Sequence, residues 1–90
     1  MTEQKFQKKI IDQYSKQGYF VVNTIKTNVT GIPDLILLKA GELPMFIECK
    51  KEKGVISEIQ KYRLEQLDKQ GFDVFVSYGD KIIHYKELDI

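Results

Sequence analysis

Asp34, Glu48 and Lys50 are charged residues set into segments that otherwise read as buried strands. Gly31-Ile32-Pro33-Asp34-Leu35-Ile36-Leu37-Leu38 and Met45-Phe46-Ile47-Glu48-Cys49-Lys50 are both apolar runs bounded by Gly or Pro, the pattern of core strands. Burying a carboxylate or an ammonium without a partner is costly, so such groups pair with one another or hold a metal. Between the runs lies Lys39-Ala40-Gly41-Glu42-Leu43-Pro44. That stretch suits an antiparallel hairpin, because a parallel crossover needs a dozen or more residues. A turn centred near Gly41 and Glu42 sets Asp34 opposite Lys50. Glu48 and Lys50 leave one side of their strand, and Ile47 and Cys49 leave the other toward apolar packing. One face of one strand end is thus expected to gather Asp34, Glu48 and Lys50.

Two neighbouring carboxylates repel each other, and a hard divalent cation such as Mg2+ or Mn2+ relieves the repulsion and carries an activated water. A lysine beside the ion can orient or deprotonate that water, or balance charge on a pentavalent phosphate. The chemistry expected is phosphodiester hydrolysis.

Pro33-Asp34 followed by Glu48-Cys49-Lys50 resembles the Pro-Asp…(Asp/Glu)-x-Lys pattern of the restriction-endonuclease-like nucleases, and most specifically the virus-type replication-repair nuclease domain, VRR-NUC. The resemblance covers nearly the whole chain. It rests on Glu3 near the start of the first helix, the Gly31-x-Pro33-Asp34 turn, Glu48-Cys49-Lys50, and Gln60 after Ser57. It implies that Asp34, Glu48 and the Cys49 backbone carbonyl bind the metal, that Lys50 assists the water, and that Gln60 and Glu3 lie at the site. Cys49 stands where many relatives carry an aliphatic residue, which leaves a backbone ligand intact. The resemblance further implies a metal-dependent DNA endonuclease selective for branched DNA such as four-way junctions, working as a homodimer.

Plainer readings stand beside these. Asp34 can simply open a strand after a proline turn, and Glu48 with Lys50 can be a solvated strand face. Ser57-Glu58-Ile59-Gln60 fits a helix capping box, a role that Gln60 can fill alone or together with a site role. Glu3 can favour a helix N-terminus electrostatically. At the level of function, the alternatives are a non-catalytic DNA-binding or assembly module on the same fold, a recombination exonuclease, or a restriction-type nuclease.

A net charge of +1 does not advertise nucleic acid by itself. Local runs do more: Lys51 and Lys53 follow the motif, Lys8 and Lys9 decorate the first helix, and these four are the candidate phosphate contacts. A single cysteine excludes an intrachain disulfide framework and cysteine-rich zinc sites. The start of the sequence has no apolar signal core and no stretch approaches membrane-spanning length, so the expected location is the cytoplasm, with no membrane partner. His84 has no ligand-spaced companion and reads as structural or exposed.

Length allows one domain over residues 1–90 and periodicity predicts the order αβββαββ; the resemblance implies that these elements form an α/β fold with a mixed sheet flanked by helices, as in the restriction-endonuclease-like core. The first helix runs from Thr2 or Glu3 to Gln17 and the first strand from Tyr19 to Ile25. The second helix starts after Ser57, presents Ile59, Tyr62, Arg63 and Leu67, and ends near Gly71. Phe72–Ser77 follows as a strand, and Tyr78–Lys81 turns into a last strand at Ile82–Tyr85.

Overall fold

A computed structural model describes residues 2–89. The elements are α1 (Glu3–Lys16), β1 (Phe20–Asn23), β2 (Leu35–Leu38), β3 (Met45–Lys50), α2 (Glu58–Lys69), β4 (Asp73–Tyr78), β5 (Lys81–His84) and a short 3-10 turn, η1 (Tyr85–Glu87). The predicted order is therefore observed, with η1 added. The five strands lie in sequence order in one mixed sheet. Only β3 and β4 are parallel, and α2 supplies the crossover between them.

Local chemistry accounts for the helix ends. Thr2 caps α1, its hydroxyl accepting from the Lys5 amide at 3.2 Å. Ser57 caps α2 in a complete capping box: the Ser57 hydroxyl accepts from the Gln60 amide at 3.3 Å, and the Gln60 side-chain oxygen accepts from the Ser57 amide at 2.9 Å. The inward line of α2 differs from the expected one. Leu64 is its buried residue and Leu67 packs beside it, whereas Ile59 and Tyr62 are exposed. The stripe runs Ile56, Gln60, Leu64, Leu67, so a polar residue occupies a line that otherwise faces the sheet.

Each face of the sheet carries its own core. Ile10 of α1 packs on Leu35, Leu37, Ile47 and Cys49, while Leu64 of α2 and Ile56 pack on Val74 and Val76 from the other side. Successive side chains on β3 alternate between the two, so Ile47 and Cys49 share the apolar side, as expected, where α1 covers them, and Glu48 points to the α2 face.

The β2–β3 register corrects the expected pairing. Leu35 lies opposite Ile47, Ile36 opposite Phe46 and Leu37 opposite Met45, which continues to Asp34 opposite Glu48 rather than Lys50. The reason is the turn. The Glu42 amide donates to the Lys39 carbonyl at 3.1 Å, so the central residues are Ala40 and Gly41, and Gly41 takes the positive φ of 79° that a type II turn needs at that position. The slip is two residues. An even slip keeps every side chain on its face, whereas a slip of one would have sent Asp34 to the α1 side.

His84 serves structure: its Nδ1 accepts from the Lys86 amide at 3.1 Å, capping η1, and its ring meets Phe75 edge-on at 5.1 Å. No helix among the described residues is long and apolar enough to cross a membrane.

Candidate active site

Pro33 has no amide hydrogen, so the β2–β3 ladder cannot continue through it in the ordinary way. Beside it the Cys49 amide turns to a side chain, donating to Asp34 Oδ2 at 2.9 Å. This bond draws the Asp34 carboxylate against β3 one pair beyond Leu35 and Ile47. Three contacts hold the incoming loop. The Thr24 hydroxyl donates to the Pro33 carbonyl at 2.6 Å, the Thr24 amide donates to the Asp34 carbonyl at 2.9 Å, and Arg63 Nε donates to the Thr30 carbonyl at 2.8 Å. Gly31 makes the approach to α2 possible: it has φ 81°, and a Cβ there would lie 2.8 Å from Ile59 Cγ1 and 3.0 Å from the Ile59 carbonyl oxygen.

Glu48 is the least solvated charge of the group, at 3% exposure. Gln60 Nε2 donates to its Oε2 at 3.3 Å, and Lys50 Nζ lies 3.7 Å from the same oxygen with its side chain 13% exposed. Gln60 thus performs two jobs, its oxygen closing the α2 cap while its amide nitrogen reaches Glu48. Glu3 reaches the same strand end, Oε1 accepting from the Lys51 amide at 3.4 Å. Asp34, Glu48, Lys50, Gln60, the Cys49 backbone and Glu3 are therefore brought together. Lys51 and Lys53 are exposed on the loop that follows. Lys8 is exposed on α1, and Lys9 is paired at 2.9 Å with Asp80 at the β4–β5 turn.

The electrostatics are those of a site short of positive charge. Glu48 is pushed up to about 8 from an ordinary 4.5, first by burial, then by the charge of Asp34 and a shared hydrogen bond with it. Lys50 pulls in the opposite direction and is outweighed, and Glu3 adds a smaller upward push. Burial, with Asp34 and Glu48 behind it, raises the Cys49 thiol to about 12, so the sulfur is a poor nucleophile or ligand and only the backbone of this residue is chemically available.

A magnesium or manganese ion fits this donor set. Among the described residues no group of three or more His, Cys, Asp or Glu side chains is placed to hold a metal ion, so the carbonyl and waters would have to complete the set. An open site of two carboxylates, a carbonyl and waters is what a small hard cation accepts. The protein's own N–H donors converge on one oxygen of each acid, Oδ2 of Asp34 and Oε2 of Glu48.

One neighbour has no counterpart among the sequence-predicted residues. Tyr78 lies opposite Lys50 in the parallel β3–β4 register, and burial followed by the charge of Glu48 raises its phenol above the usual value. No local signal marks it, since the pairing joins strands separated by a whole helix. The signal for Gln60 was present: a glutamine between Ile56 and Leu64 on the inward face of α2 is a polar group that has to find a partner.

Compared with known families, the chain matches the VRR-NUC domain over residues 3–81, a span that includes Glu3, Asp34, Glu48, Lys50, Gln60 and Tyr78. No curated protein matches it.

Proposed function

Because the chain belongs to the VRR-NUC family, whose domains are generally nucleases, we propose that it is a metal-dependent DNA endonuclease selective for branched DNA, and that Asp34, Glu48, Cys49, Lys50 and Gln60 form its active site. The observation that carries this function is the pairing of a buried Glu48 with Asp34, a combination that holds an extra proton when no cation neutralises it. A merely solvated strand face would have neither the burial nor the shared hydrogen bond.

In this site the Asp34 and Glu48 carboxylates and the Cys49 carbonyl would hold Mg2+ or Mn2+. When bound, the ion supplies a water of lowered pKa and neutralises charge on the scissile phosphate. Lys50, on the same face as Glu48, would as a neutral amine accept a proton from the attacking water, or as an ammonium stand against the phosphate oxygens. Gln60 keeps Glu48 Oε2 directed toward α2, which fixes the rotamer of the acid. Lys51 and Lys53 extend positive charge from the site along the following loop, where phosphates of the substrate can meet them. Direct cleavage of four-way junction, flap, single-stranded and linear duplex DNA with Mg2+ or Mn2+ tests this function, and no cleavage of any of them would refute it.

The double role of Gln60 leads to a separable pair of variants. Ser57→Ala should cost about 1 kcal/mol through the lost cap and leave turnover within twofold. Gln60→Ala should lower the melting temperature to a similar degree and reduce the rate roughly 10–100-fold through loss of its hold on Glu48. Equal rates in the two variants would show that Gln60 acts only as a cap.

The homodimer is supported by the uncovered part of the sheet. Phe20 and Leu38 are cross-strand partners on β1 and β2, 70% and 39% exposed, on the face of the sheet where α2 packs on β4 and reaches Glu48 of β3. With β1 a free edge, this apolar strip suits a second copy of the chain. Phe20→Glu should convert a dimer seen by light scattering at micromolar concentration into a monomer and abolish the preference for junctions over linear duplex. A variant that remains dimeric places the interface elsewhere.

A further inference from the structure

A row of three side chains crosses the end of the sheet. In the β3–β4 and β4–β5 registers Lys50 is opposite Tyr78, and Tyr78 is opposite Lys81. Paired residues share a face, so all three project on the side of Glu48, and two strand spacings of ~4.8 Å separate the backbones of Lys50 and Lys81. Beside this row opens a cleft of about 680 Å3 lined by Phe6, Lys53, Tyr78, Lys81 and Ile83 together with Glu52 and Asp80. Asp80 is already neutralised by Lys9 at 2.9 Å. Among the described residues neither Lys53 nor Lys81 is engaged in an ion pair. The cleft therefore presents two free ammonium groups against one free carboxylate, around aromatic walls. Tyr78 is shared by both places: it packs against the α2-side core, feels the charge of Glu48, and forms a wall of the cleft.

We propose that this cleft seats an unpaired nucleotide of the DNA strand next to the cleaved phosphate, its base stacked on Tyr78 and its flanking phosphates on Lys53 and Lys81. The assignment rests on the nuclease function above and adds to it a preference for substrates with an unstacked base beside the incision. A volume in the range of ordinary ligand pockets admits a base with its sugar, and an aromatic wall between lysines is the combination that holds single strands without reading sequence. Duplex DNA keeps its bases stacked and offers the cleft only backbone.

Fluorescence anisotropy in EDTA, where nothing is cut, tests this with a labelled single-stranded oligonucleotide and a blunt hairpin duplex. Tyr78→Ala should weaken single-strand binding roughly tenfold or more and duplex binding by less than about twofold. Tyr78→Phe should bind like the wild type, because the ring and not the hydroxyl stacks. Should Tyr78→Ala melt before binding can be read, Lys81→Glu decides, since its exposed side chain can change sign without touching the core. Unaltered single-strand affinity in Tyr78→Ala, or in Lys81→Glu, or equal loss on both probes, overturns the cleft. Failure of the nuclease function looks different: single strands are held through Tyr78, yet no substrate is cleaved with magnesium. Cleavage with binding indifferent to Tyr78 leaves the nuclease standing and removes the cleft.

Discussion

Glu48→Gln is expected to abolish cleavage and at the same time stabilise the metal-free protein at neutral and alkaline pH. The activity loss, several orders of magnitude, follows from removing half of the charge that would hold the ion. The gain in stability follows from the proton. Glu48 is raised in the folded protein to about 8 from 4.5, so the folded state keeps a proton that the unfolded state has already released. Its contribution is fully present below pH ~4.5 and is lost as pH rises through about 8, a swing on the order of a few kcal/mol. The groups facing the carboxyl are Asp34, Lys50, Gln60, Tyr78 and, more distantly, Glu3, and among the charges only Lys50 favours its ionised form. Melting curves of the metal-free wild type should therefore fall in midpoint from pH 5 to pH 9, and those of Glu48→Gln should be much flatter. Added magnesium should restore wild-type stability in the alkaline range and do nothing for the variant. Asp34→Ala should be inactive too and should weaken the pH dependence by removing the repelling charge. Near wild-type cleavage in either folded variant would refute the site, and a metal-free wild type equally stable at pH 5 and pH 9 would refute the burial-driven proton.

Lys50→Ala is expected to reduce cleavage by about 10²–10⁴-fold while the protein still binds magnesium. The lysine stands 3.7 Å from Glu48 Oε2 but supplies no oxygen to a metal, so its loss removes the group that acts on water or phosphate and leaves the ligands in place. Metal affinity should drop slightly near neutral pH, because Lys50 is the one charge that favours an ionised Glu48. Isothermal calorimetry measures that affinity directly. A variant that no longer binds magnesium would make Lys50 a structural support of the acids. Lys50→Arg then sorts its two roles: a guanidinium keeps the charge but cannot take a proton, so an inactive Arg variant points to proton transfer and an active one to phosphate stabilisation.

The acids and the lysine were readable because strand periodicity is local. Pro33-Asp34 and Glu48-x-Lys50 each sit in an apolar run, and a period of two sends Glu48 and Lys50 to one face whatever the register. The capping box was readable for the same reason, since Ser57 and Gln60 lie within one helical turn. By itself, then, the sequence determined the two helices, the hairpin, the face of the acids and the family pattern. The exact neighbour of Asp34 was not determined there, because register depends on which residues of Lys39–Pro44 take the centre of the turn, and a β-turn at Ala40–Gly41 moved β3 two residues along β2. Tertiary structure alone decided the loop clamp of Thr24, Gly31 and Arg63, the burial that sets the proton on Glu48, and the place of Tyr78 beside Lys50. Each depends on segments far apart in the chain meeting across the sheet, and a parallel pair joined through a helix has no turn to announce its register.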